Sequence, residues 1–139
     1  MDLACDTLGD EELKKQFAEM DLKISHNIQN IALDNGALNN ERENDKIDKK
    51  RVWWVEAESV VGFINAYQHS GEKKFLESAR SVWEYIKAEM IDKREGSEWY
   101  SEVSYDHKPH DWKEIVGPWK CPYHNGRMCM EVINRGVDF

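Results

Sequence analysis

The sequence predicts an all-α chain, a partial toroid of about two and a half helical hairpins joined by long loops. Apolar residues recur at steps of three and four through several segments, which is the period of amphipathic helices. Two stretches also repeat one another: Leu8-Gly9-Asp10-Glu11-Glu12-Leu13 matches Ser70-Gly71-Glu72-Lys73-Lys74-Phe75 about 62 residues later, and each opens a helix. Each of those helices leads through a Gly-containing loop to a Trp-bearing segment and a more apolar helix. The unit is an outer helix, a decorated loop and an inner helix. Two such hairpins cannot cover all of their own apolar faces, and a closed ring of six would take roughly 370 residues.

The first helix is predicted over residues 11 to 33, because Leu13, Phe17, Met20, Ile24, Ile28 and Ile31 form one stripe. Asp10 is its expected N-cap, and Gly36 in Asp34-Asn35-Gly36 its terminator. The charged stretch to Lys50 reads as a long loop with one short extended piece. From Val52 to Gln68 two adjoining stripes appear, Trp53, Val60, Phe63 and Tyr67 beside Trp54, Ala57, Val61 and Ile64, so this helix should be largely buried. The next runs from Lys73 to Met90 on Phe75, Ala79, Val82, Trp83, Ile86 and Met90, and closes near Asp92. Residues 96 to 119 fit a short hairpin or extended loop, with Trp99, Tyr100, Val103 and Tyr105 separated by polar residues. The last helix is expected from Asn125 to Asn134, before Gly136.

At 139 residues the chain is long enough to bury a core, and its net charge of −8 argues against nucleic acid or an anionic membrane as partner. Six Trp and five Tyr are many for this length. About half of them belong to a core by burial preference, and the rest suit the apolar faces of sugar rings. Cys5, Cys121 and Cys129 are odd in number without a C-x-x-C pair, which suggests neither a disulfide framework nor zinc and points to a reducing, cytoplasmic setting. The first residues lack a basic and apolar leader, and no apolar run reaches membrane-spanning length.

The run from Gly117 to Arg127 concentrates aromatic, cationic and imidazole groups ahead of the last helix. Pro118 and Pro122 restrict the backbone around Trp119 and should fix its indole relative to His124. At a helix entrance the free N–H groups favour a neutral imidazole, able to act as a base. Glu56 and Glu58 stand inside the most apolar helix, and their two-residue spacing sets them on different faces, so they are no paired-carboxylate couple. A structural ion pair of one of them with an Arg such as Arg42 or Arg127 is the plain alternative, more for Glu56 than for Glu58. His26 and His69 read as surface residues, and a metal site at His107 and His110 lacks further ligands nearby.

Trp53-Trp54-Val55-Glu56-Ala57-Glu58-Ser59-Val60-Val61-Gly62-Phe63 and Gly117-Pro118-Trp119-Lys120-Cys121-Pro122-Tyr123-His124-Asn125-Gly126-Arg127 resemble the C-terminal motifs of the N-acylglucosamine 2-epimerase family, and more closely its cellobiose 2-epimerase branch. Asn39-Asn40-Glu41-Arg42 also fits. The resemblance implies an (α/α)6 barrel with a central sugar pocket, and epimerisation at C2 of the reducing-end glucose without a redox cofactor. It implies that His124 is one of two acid/base residues working through an enediolate. Trp119 and one of Trp53 and Trp54 would stack on substrate, and Glu58 and Arg127 would line the pocket. Glu56 stands where the family has Gln. The family's second catalytic His, in a Gly-His-x-x-Glu stretch, would fall ahead of Met1, so the chain resembles the C-terminal third of such an enzyme and is expected to be inactive alone.

A non-catalytic sugar-binding or scaffold remnant is the alternative. A glycoside hydrolase on the same toroid would need two opposed carboxylates, which the Gly117 to Arg127 run does not offer. A partial toroid should expose inner-helix surface and self-associate.

Overall fold

The computed structural model describes residues 2–139. The helices are α1 (Asp2–Leu8), α2 (Glu11–Ile31), α3 (Trp53–Ser70), α4 (Lys73–Tyr85), prolonged by one π turn to Met90, and α5 (Tyr123–Asn134). Among the described residues no helix is long and apolar enough to cross a membrane. Asp10 caps α2 as expected, its Oδ1 accepting the Leu13 N–H at 2.9 Å. Gly9 and Gly71, at equivalent places in the repeated stretch, both take left-handed φ, 67° and 72°, ahead of α2 and α4. The same break in the chain therefore starts each outer helix.

Three expectations are corrected. Asn35 and Gly36, at φ 52° and 82°, do not end α2; they are the two-residue turn of a hairpin between β1 (Leu33–Asp34) and β2 (Ala37–Leu38). The following stretch forms a second hairpin, β3 (Glu41–Glu43) with β4 (Lys46–Asp48). Residues 96 to 119 hold the expected short hairpin-like turn, Val103 bridging antiparallel to Pro109 and His110 N–H donating to Glu102 O at 2.9 Å, while β6 (Glu102–Val103) also pairs antiparallel with β5 (Arg51–Val52) from far earlier in the chain. Pairing of this kind leaves no local sequence signal. The last helix starts at Tyr123, two residues before the expected Asn125.

α3 is central and packs on α2, α4 and α5. Ala57, Val60 and Ile64 of α3 meet Phe75, Ala79, Val82, Ile86 and Met90, all fully buried. α2 has no fully buried residue, and Met20, Ile24 and Ile31 on its stripe remain exposed. The amphipathic outer helix thus has an apolar face that these residues do not cover. The two loops, 32 to 52 and 91 to 122, lie at one end, where α3 and α5 both begin. That arrangement brings their first turns together.

Candidate functional site

His124 sits in the first turn of α5, and its Nδ1 lies 2.8 Å from Glu58 Oε1. The other Glu58 oxygen accepts from Arg127 Nη2. Glu58 stands four residues after Trp54, so both project from the same side of α3. The Trp54 ring lies 5.9 Å from the imidazole, Tyr123 stands edge-on at 5.1 Å, and Trp53 at 6.5 Å. In a neutral imidazole, Glu58 accepting at Nδ1 selects the tautomer that carries its proton there and leaves Nε2 with the lone pair. The helix entrance alone did not show this: the carboxylate comes from α3, 66 residues earlier.

Beside this group is a cavity of about 330 Å³, lined by Ser25 and Ile28 of α2, Leu38, Asn39 and Asn40, and Trp54, Glu58 and Phe63 of α3. Its size lies within the range of small-molecule sites. A second hollow, about 400 Å³, is bounded by Trp53, Trp112, Gly117 and Trp119. Trp53 is otherwise buried, with Lys120 Nζ 5.5 Å from its ring, so Trp54 is the member of the pair that opens to the first cavity. Three of the six tryptophans, Trp54, Trp112 and Trp119, are exposed, which matches the division expected from burial preference.

Trp119 departs from expectation. It is 91% exposed at the tip of a turn closed by Gly117 N–H to Lys120 O at 2.9 Å and Lys120 N–H to Gly117 O at 3.2 Å. The prolines fix the backbone on either side, but no neighbour holds the ring, and it is not among the rings packed on His124. What anchors this turn is Glu98, which no local residue pattern singles out. Its carboxylate accepts from both the buried Lys120 ammonium and Asn125 Nδ2 at the start of α5.

The ion pair expected of one of the two acids forms at Glu58, which takes Arg127, and Glu56 pairs with neither Arg42 nor Arg127. It is fully buried and faces Leu38 and Arg51, while Arg42 donates to Asn44 O and Arg127 turns to Glu58 and Glu131. His107 and His110 diverge onto different carboxylates, Glu89 at 3.5 Å and Glu102 at 3.1 Å. His26 is half-buried, its ring 4.8 Å from Phe75 and its Nε2 3.2 Å from Glu72. It is a packing residue more than a surface one, because it lies where α2 crosses the start of α4.

The sequence profile of the N-acylglucosamine 2-epimerase (GlcNAc 2-epimerase) family matches residues 16–126. The cellobiose 2-epimerase of Ruminococcus albus is 80% identical over 138 residues, 99% of this chain and 36% of that protein. The crystal structure of a sugar epimerase from a ruminal bacterium superposes on all of this chain and 36% of its own, with a TM-score of 0.97 and 80% identity. The cellobiose 2-epimerase structure from Bacillus thermoamylovorans B4167 matches 95% of this chain and 34% of its own, with a TM-score of 0.88 and 47% identity. The chain therefore spans 36% of the length of the curated relative it resembles at 80% identity, and its hairpins follow the corresponding part of their (α/α)6 barrel. From the profile match, the relatives and the shared helical arrangement, this chain belongs to the N-acylglucosamine 2-epimerase family.

Proposed function

We propose that the chain forms part of a cellobiose 2-epimerase-like isomerase, the C-terminal part by the motifs quoted above. The reaction interconverts glucose and mannose epimers at the reducing end of β-1,4-linked disaccharides. The observation that carries the reading is Glu58 bridging His124 Nδ1, at 2.8 Å, and Arg127, with the Trp54 ring against the imidazole. On the opened sugar, His124 Nε2 takes the C2 proton; the C2–H electrons form a C1–C2 double bond and the C1 carbonyl oxygen takes the charge, giving an enediolate. Glu58 stabilises the imidazolium that results and keeps the ring oriented. Trp54 and Trp119 offer flat apolar faces to the sugar. A proton returned to the opposite face of C2 gives the mannose epimer with no change of oxidation state.

Removal from one face and return to the other take two groups. Among the described residues, His124 is the imidazole set against Glu58 and Trp54. The 139-residue chain by itself is therefore expected to leave cellobiose unepimerised, as followed by NMR of the reducing-end anomeric signals. Formation of the mannose epimer by purified chain, abolished by His124→Ala, would overturn the two-group requirement.

A further inference from the structure

Glu56 is 0% exposed on the inner side of α3, turned away from the face that carries Glu58. Its two oxygens share the Leu38 N–H at 3.1 and 3.0 Å. Leu38, Asn39 and Asn40 line the cavity together with Trp54 and Glu58. Arg51, only 2% exposed, holds the same segment through Asn39 Oδ1 and Asp34 O, both at 2.8 Å. One acid and one guanidinium, both out of solvent, thus clamp a wall that has little regular structure of its own.

We propose that Glu56 is a positioning residue for this wall, its ionised carboxylate holding Leu38 to Asn40 in place and its protonation loosening them. That the cavity takes a sugar rests on the function proposed above; the coupling of Glu56 to the wall does not. An ionised carboxylate presents two equivalent acceptors, which fits the nearly equal distances to Leu38 N. A protonated carboxyl keeps one strong acceptor, must place its own O–H, and loses its attraction to Arg51. Burial pushes the Glu56 pKa up to about 8, against the opposing pull of the Leu38 N–H and Arg51, so both forms lie within reach near neutral pH.

The charged and titratable groups around Glu56 are few. β5 presents Arg51, and α4 presents the Tyr85 hydroxyl, itself pushed up to about 12 by burial. Beyond Tyr85 stand Glu89 and His107, 3.5 Å from one another, the His107 ring 6.0 Å from that of Tyr85. From the hairpin side, the Asp34 carboxylate is turned to Lys49 at 3.4 Å, leaving the Leu38 N–H and the Asn39 amide.

NMR of the 139-residue chain without sugar, titrated from about pH 5 to pH 10, tests this. The Glu56 side-chain carboxyl carbon and the Leu38 amide should shift with one shared midpoint, and the Asn39 amide should follow. In Glu56→Gln the Leu38 and Asn39 curves should become flat while the spectrum stays folded. A Leu38 midpoint different from that of Glu56, no Leu38 shift, or a Leu38 curve unchanged in Glu56→Gln overturns the proposal. If that variant does not fold, the wild-type midpoints decide alone. Because no sugar is present, the outcome is independent of whether the cavity binds one.

Discussion

Two carboxylates two residues apart on α3 serve different ends because the helix turns about 200° between them. Glu58 emerges beside α5 and orients His124; Glu56 points inward and meets a backbone amide. The sequence shows that they cannot act as a pair, but not which partners they find, since Leu38, Arg51 and Arg127 reach them only through tertiary packing. A pH dependence follows from Glu56. Its folded pKa, about 8, lies above the ordinary 4.5, so the native state binds this proton more tightly than the unfolded chain does. The resulting stabilisation is complete below the ordinary value and is lost as pH rises through the folded one, at up to about 1.4 kcal/mol per pH unit. Urea denaturation of wild type should show stability falling between these two pKa values, and Glu56→Gln should flatten that fall. An unchanged slope in the variant would show that Glu56 is not its source. The hold on the cavity wall therefore comes with a cost in stability, the opposite of what packing alone would favour.

At the scale of elements, the helices were readable because their apolar residues repeat at the helical period, and the matched stretches at Leu8 and Ser70 fixed where two of them start. The short strands were not. β1 and β2 are two residues each and depend on Asn35-Gly36 and on packing against α3 and α4, while β5 and β6 meet across more than a third of the chain. Likewise nothing near Glu98 shows that it will hold Lys120 and Asn125, the contacts that tie the Trp119 turn to the start of α5. Gly36 makes the point testable. It has φ 82°, and a Cβ there would stand 3.1 Å from Ser81 Oγ on α4. Gly36→Ala should cost on the order of 1–3 kcal/mol in chemical denaturation, from left-handed backbone strain and crowding together. A change within about 0.5 kcal/mol would contradict the strain and crowding assigned to this position.

At the scale of the molecule, the loops gather at one end of the helices, so α2, the start of α3 and the 38–40 wall enclose one cavity, with His124 of α5 held beside it through Glu58. The helical hairpins and the motif residues are legible in the sequence as a sugar-epimerase pattern. The geometry adds the Glu58 bridge, the choice of Trp54 over Trp53 as the ring open to the first cavity, and the exposed position of Trp119. Self-association through exposed inner-helix surface remains an expectation of the same partial-ring architecture. The proton-transfer role of His124 is tested most directly in a chimera in which this chain replaces the matching 36% of the Ruminococcus albus protein, to which it is 80% identical. The chimera should epimerise cellobiose, and His124→Ala within it should lower kcat by at least about 100-fold with the fold intact, the range for loss of a general base. A His124→Ala chimera that keeps its kcat would contradict the account.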